Sequence, residues 1–138
     1  LIYIIEQMIL NVKDQKIGDE GELYVKEVLE KYLGEKLDKT EPWHNYDLKG
    51  ENLYIEIKTR RCKSNKYKSL YFSKAKYDFI KKNPNYSYKF VYNLYDGIYL
   101  WNYNEADIFF SVGGRTDRGK NEIKTLCNIP TKLLKKVK

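Results

Sequence analysis

One stretch, Asn45 to Arg61 (NYDLKGENLYIEIKTRR), limits what this chain can fold into more than any other. Its pattern predicts a β-hairpin. Tyr46-Asp47-Leu48 forms the first strand, Lys49 to Asn52 the turn, and Leu53 to Arg60 the second strand. Gly50 and Asn52 mark the turn because both tolerate positive φ. Successive side chains on a strand alternate faces, so Leu53, Ile55 and Ile57 share the side that goes to a core. Tyr54, Glu56, Lys58 and Arg60 share the face that remains, and Asp47 reaches the same spot from the neighbouring strand. Two carboxylates and a lysine converging in this way suit a hard divalent cation with an amine beside it. Opposite charges then favour the ionised forms of all three. The other reading of the same residues is a solvated strand face carrying an ion pair.

Upstream, Gly18 to Leu33 (GDEGELYVKEVLEKYL) predicts a helix that stops at Gly34, a good residue for a left-handed helix end. At about 100° per residue, Val25, Val28, Leu29, Tyr32 and Leu33 make one apolar stripe. Glu22 lies about 60° from the centre of that stripe, at its margin, and Glu20 lies well away from it. Gly18 and Gly21 fall on the packing face, where a missing side chain permits close approach.

Asp47 followed by Glu56-Ile57-Lys58 resembles the motif of the PD-(D/E)xK nucleases, the restriction-endonuclease-like superfamily; Tyr46 stands where a proline is usual. KIGDEGE resembles the acid-bearing first core helix of archaeal Holliday-junction resolvases and small homing endonucleases, with Glu22 as the acid. The resemblance covers Gly18 to about Tyr103. It implies an α/β fold with one mixed sheet flanked by helices, in the order αβββαβ. It also implies Mg²⁺, with Mn²⁺ able to substitute, held by Asp47 and Glu56 with the Ile57 carbonyl as a further ligand. Glu22 would hold a second metal or its water shell, and Lys58 would orient the attacking water. On the helix after the catalytic strand, where related enzymes place a glutamine or basic residue, Lys76 is the candidate.

The charge distribution points the same way. The net charge is +7. From Lys58 to Lys82 ten Lys or Arg face one acid, Asp78, so the surplus lies directly after the ExK and the rest of the chain is slightly negative. A polyanion is the natural partner, because each phosphate neutralised releases a counterion. Arg60, Arg61, Lys63, Lys66, Lys68, Lys74 and Lys76 are the candidate DNA contacts; a solubilising lysine-rich loop is the plainer reading.

Elsewhere, 1–12 predicts a first helix whose apolar stripe needs either this domain's core or a second subunit, and 11–16 a polar break. Lys36 to Thr40 predicts a strand and Arg61 to Ser69 a basic loop. Tyr71 to Lys82 starts a helix at Ser73 and stops before Pro84, with Ala75, Phe79 and Ile80 inward and Lys74, Lys76, Lys81 and Lys82 outward. Tyr86–Leu94 and Ile98–Tyr103 predict strands joined at Asp96-Gly97. Five of the fourteen tyrosines sit in them as packing residues. Asp107–Val112 and Glu122–Leu126 predict strands around a partly basic loop, and the KLLKKVK tail either touches phosphate or is solvated. His44, the single histidine, receives no catalytic role.

With 138 residues the chain is expected to form one domain, a core over 18–103 extended by 1–12 and 104–138. Two cysteines, Cys62 and Cys127, without metal-finger spacing suit a reducing, cytoplasmic compartment. The opening LIYIIEQMIL lacks a basic stretch and is too short to span a membrane. The expected function is a Mg²⁺-dependent endonuclease acting on duplex or branched DNA, junction-resolvase-like or site-specific, and a homodimer where two strands are cut together. The alternatives are a non-catalytic nucleic-acid-binding protein of nuclease-like fold and an RNA-processing protein.

Overall fold

The computed structural model describes residues 2–114 and 123–138, with backbone only for residues 7–19. Two compact units divide the chain, Leu1–Lys36 and Leu37–Lys138.

The first unit is one helix, α1 (Ile2–Leu33). Two helices with a break over 11–16 were expected. Polar residues such as Asn, Lys and Gln do not stop a helix as proline does, and a glycine costs only about 1 kcal/mol relative to alanine. Gly34 ends it at φ 66°, its N–H donating to the Glu30 carbonyl at 2.9 Å. Val25 and Leu29 are fully buried, while Tyr32 is exposed. A Cβ on Gly21 would meet nothing within 4 Å. Ile2, Tyr3, Ile4 and Ile5 all stand exposed.

The second unit is built on β3 (Leu53–Thr59). On one side it pairs antiparallel with β2 (Leu48–Lys49), Leu48 opposite Ile55. On the other it runs parallel to β5 (Ser87–Leu94), from Leu53 opposite Ser87 to Thr59 opposite Asn93. Parallel neighbours require a crossover. Here β4 (Ser69–Ser73) and α2 (Lys74–Lys82) supply it. With β1 (Asp38–Lys39), β6 (Gly97–Asn102) and β9 (Lys135–Lys136) the strands form a mixed six-stranded sheet in the order β1-β2-β3-β5-β6-β9. The fold is therefore mixed α/β with a multistranded mixed sheet, as expected.

The 50–52 turn closes with the Gly50 N–H on the Leu53 carbonyl at 2.8 Å. It does so without the positive φ expected at Gly50 and Asn52, since among described residues only Gly34, Gly97 and Gly114 have it. In the β5–β6 hairpin Leu94 pairs with Gly97, which makes Tyr95 and Asp96 the turn residues.

A second, antiparallel sheet was not expected. Its order is β4-β8-β7, with β7 at Phe109–Gly113 and β8 at Lys124–Pro130. Ser69–Ser73, taken partly as loop and partly as helix start, is its first strand. β8 runs further than the Glu122–Leu126 strand foreseen, and the lysine-rich tail turns back as β9 beside β6. The basic part of the loop expected between β7 and β8, residues 115–122, lies outside the described residues. The core between these elements is aromatic: Tyr46, Phe72, Tyr88, Phe90, Tyr92 and Trp101 are buried with Cys127 and Ile129.

Candidate metal centre

β2 is too short to cover all of β3. Its ladder reaches Tyr54 and Ile55, and beyond it Asp47 completes the edge in two ways. The Asp47 N–H donates to the Ile55 carbonyl at 3.0 Å, and its Oδ2 accepts the Ile57 N–H at 2.8 Å. A side chain thus continues where the strand stops, which holds the carboxylate against β3. Within a strand the N–H and C=O of one residue point to the same edge. The Ile57 carbonyl therefore faces the edge that Asp47 occupies.

Glu56 projects from the sheet face and is 6% exposed. The alternative reading of an open, solvated face does not hold here: α2 and the Tyr46 ring belong to the cover of this side of β3. Lys76 of α2 sets its Nζ 2.7 Å from Glu56 Oε2. The same ammonium lies 5.2 Å from the centre of the Tyr46 ring, whose hydroxyl donates to the Lys76 carbonyl at 2.9 Å. Lys76 was expected to face outward with the other lysines; it turns in, and Ala75 is exposed instead. The contact is close, yet Glu56 Oε2 accepts no aligned hydrogen bond. This buried carboxylate oxygen has the Lys76 ammonium as its close partner.

Burial, not mutual attraction, sets the ionisation of this site. The Glu56 carboxyl is pushed up to about 7, first by loss of solvent and then by the Asp47 carboxylate, with Lys76 pulling it back. Lys58, half-buried on the same face, has its pKa lowered, again chiefly by burial; Glu56 and Asp47 oppose the shift while Arg60 and Lys76 add to it. The expectation that opposite charges would keep all these groups comfortably ionised overlooked how little water reaches them.

Among the described residues no three His, Cys, Asp or Glu side chains gather into a metal cluster. The hairpin supplies a carboxylate pair, Asp47 and Glu56, with the Ile57 carbonyl on the same edge. Glu22 belongs to the other unit, on α1, and is half-buried where Glu20 is exposed. His44 is structural: its Nδ1 accepts the Tyr46 N–H at 3.0 Å and its ring stacks on Tyr54 at 4.9 Å.

A family model described as "Phage putative PDDEXK endonuclease" matches residues 20–137. The chain belongs to that family. Neither the curated proteins nor the solved structures searched contain a match. In this PDDEXK endonuclease-family chain Glu56 and Lys58 lie on β3, while Tyr46 and Asp47, expected within the first strand, lie just before β2. The match also takes in the last third of the chain, which forms the second sheet and the β9 edge and which the motif-based core had left out.

The basic residues after the motif separate into two kinds. Arg60 extends the β3 ladder through its N–H to the Asn93 carbonyl at 3.1 Å, and its guanidinium lies 5.7 Å from the centre of the Tyr71 ring. Arg61, Lys63, Lys66 and Lys68 lie exposed on a loop. That loop is pinned at both ends. Ser64 N–H and hydroxyl donate to Asp96 at 2.9 and 2.5 Å, and Thr131 bonds the Lys68 and Tyr67 carbonyls, each at 2.8 Å. Lys74 is paired along α2 with Asp78 at 3.1 Å. Lys76, the basic residue expected near the site from the resemblance, does stand beside Glu56; the seat that Tyr46 makes for it was not foreseen. The signal available was an aromatic residue directly before Asp47, in the place usually held by proline. No described helix is long and apolar enough to cross a membrane.

Proposed function

We propose that this chain is a Mg²⁺-dependent endonuclease that hydrolyses phosphodiester bonds in DNA. The observation that carries the proposal is the Asp47 carboxylate held by the Ile57 N–H at the edge of β3, with Glu56 buried on the adjoining sheet face. Carboxylate and carbonyl oxygens in this arrangement are a hard donor set, suited to Mg²⁺ or Mn²⁺ and not to a thiolate-seeking metal. Asp47, Glu56 and the Ile57 carbonyl would hold the ion, and Glu22 would hold a second ion or its water shell. The ion's contribution is to acidify a bound water and offset charge on the scissile phosphate.

The chain's own groups do the rest. Lys58, on the face of Glu56, orients the water and stabilises negative charge developing on the phosphate. Burial lowers its pKa, with Glu56 and Asp47 holding the ammonium against that shift. Asp47 fixes the edge by holding the Ile57 N–H, so the donor oxygens are positioned before substrate arrives. Lys76 pairs with Glu56 in the free protein and would be available to phosphate if Glu56 held a cation. Arg60, Arg61, Lys63, Lys66, Lys68 and Lys74 would track the backbone of duplex or branched DNA, as a junction-resolvase-like or site-specific enzyme requires. One chain supplies one such site, so paired cuts in two strands would come from a homodimer.

One observation favours a non-catalytic, DNA-binding role: the Lys76 ammonium stands 2.7 Å from Glu56, where it can substitute for the cation. The deciding experiment is nicking of supercoiled plasmid with Mg²⁺, with Mn²⁺ and with EDTA, using wild type and Asp47→Asn, and a labelled RNA in parallel. Metal-dependent nicking lost in Asp47→Asn, with DNA binding in EDTA retained, is the expected result. Binding without nicking under all conditions would establish the non-catalytic reading, and cleavage of RNA alone the RNA-processing one.

A further inference from the structure

Beyond Lys58 on the same face of β3, a cavity of about 290 Å³ opens between the basic loop and the second sheet. Arg60, Tyr67, Tyr71 and Asn128 are among its lining residues. Small-molecule sites run from roughly 300 to 1,000 Å³, so this one suits a single nucleotide and is far too small for a duplex. Its walls are chemically divided. Arg60, lying over the Tyr71 ring, presents a planar cation at the mouth. Tyr67 and Tyr71 are 56% and 47% exposed, and each ring has a cation over it, Lys66 at 6.0 Å from the centre of Tyr67 and Arg60 over Tyr71. Asn128 is the contrasting wall: it is 8% exposed, and its Nδ2 donates to Ser111 Oγ at 2.8 Å and the Phe109 carbonyl at 3.2 Å, which fixes its orientation.

The cavity is preformed. The Thr131 and Asp96 bonds pin the loop, and the Tyr95 N–H holds the Cys62 carbonyl at 2.9 Å. A phosphate on Arg60, a base stacked against tyrosine and a fixed amide at the base edge are what one unpaired nucleotide requires. Arg60 lies two residues beyond Lys58, so the nucleotide would be a near neighbour of the scissile phosphate. We infer that the Arg60–Tyr67–Tyr71–Asn128 cavity binds one unpaired nucleotide of the substrate, next to the cleavage site. This rests on the endonuclease reading for its location but not for its ligand.

The test compares three duplexes in EDTA by fluorescence anisotropy: fully paired, with a single bulged nucleotide, and with the same bulge made abasic. The abasic bulge keeps the flexibility of the bulged duplex and lacks the base. Wild type should bind the bulged duplex at least about tenfold more tightly than the other two, within the range of one base–aromatic stack. Tyr71→Ala should lose that advantage, Tyr71→Phe should keep it, and Tyr67→Ala, on the exposed loop, should reduce it. Equal affinity for the bulged and abasic duplexes, or an advantage undiminished in Tyr71→Ala, would overturn the inference. Because no cleavage is read, a lost advantage with metal-dependent nicking intact removes the pocket alone. An advantage present in a protein that never nicks removes the endonuclease reading and leaves the pocket.

Discussion

Replacing Glu56 by glutamine should make the protein more stable at alkaline pH while destroying its metal site. The Glu56 carboxyl rises from 4.5 to about 7 on folding, because burial and the Asp47 carboxylate outweigh Lys76. Between those values the folded chain keeps a proton that the unfolded chain has released. The Glu56 contribution to stability is therefore fully present below pH 4.5 and is lost as pH rises through 7. At about 1.4 kcal/mol per pH unit the loss amounts to roughly 3 kcal/mol. Glutamine mimics the protonated acid at every pH and escapes that loss. The measurement is urea unfolding of wild type and Glu56→Gln in EDTA at pH 4 and pH 8.5. The two should be nearly equal at pH 4, and the variant more stable by about 2–3 kcal/mol at pH 8.5. Saturating Mg²⁺ should narrow the gap at pH 8.5, since an ion bound only to folded wild type adds to its stability. A gap independent of pH, or a variant less stable at pH 8.5, would refute the reasoning: the Lys76 pair would then outweigh the cost of burying the charge.

Three further outcomes are expected. Reversing Lys63, Lys66 and Lys68 to Glu should weaken binding to every DNA and lower the slope of log affinity against log salt by about 3, near 0.9 per phosphate contact; an unchanged slope would make the loop a solvated face. Glu22→Gln should slow cleavage by at least about a hundredfold, or roughly 2.7 kcal/mol, and Glu20→Gln by less than about threefold. The reverse order would mean that α1 is phased differently, and no effect from either would mean that the helix carries no functional acid. Trp43 is 80% exposed, whereas Trp101 is 2% exposed with its indole N–H on Asp107. Iodide should therefore quench the fluorescence of wild type strongly and that of Trp43→Phe hardly at all.

The local chemistry of this chain was readable from its residues. Alternation of Leu53 and Ile55 with Tyr54 and Glu56 sets the faces of β3, Gly34 ends α1, and the Asp96-Gly97 pair marks the β5–β6 hairpin. Each depends on a residue's own stereochemistry or on a period spanning a few positions. What escaped depends on partners far away in the chain. Ser69–Ser73 sits among lysines and serines and becomes a strand because β8, more than fifty residues later, pairs with it, Phe72 opposite Cys127. From the pattern of α2 alone Lys76 reads as one more solvent-facing lysine, since its long stem and charge fit either side of a helix, and only the family resemblance set it near the site. Only the packing of α2 brings it to Glu56. The carboxylate pair itself follows from the order of residues in one hairpin. Its burial, and with it the raised pKa of Glu56 and the lowered one of Lys58, comes from the cover that tertiary structure lays over a charged strand face, because removal of water is a property of the surroundings and not of the strand.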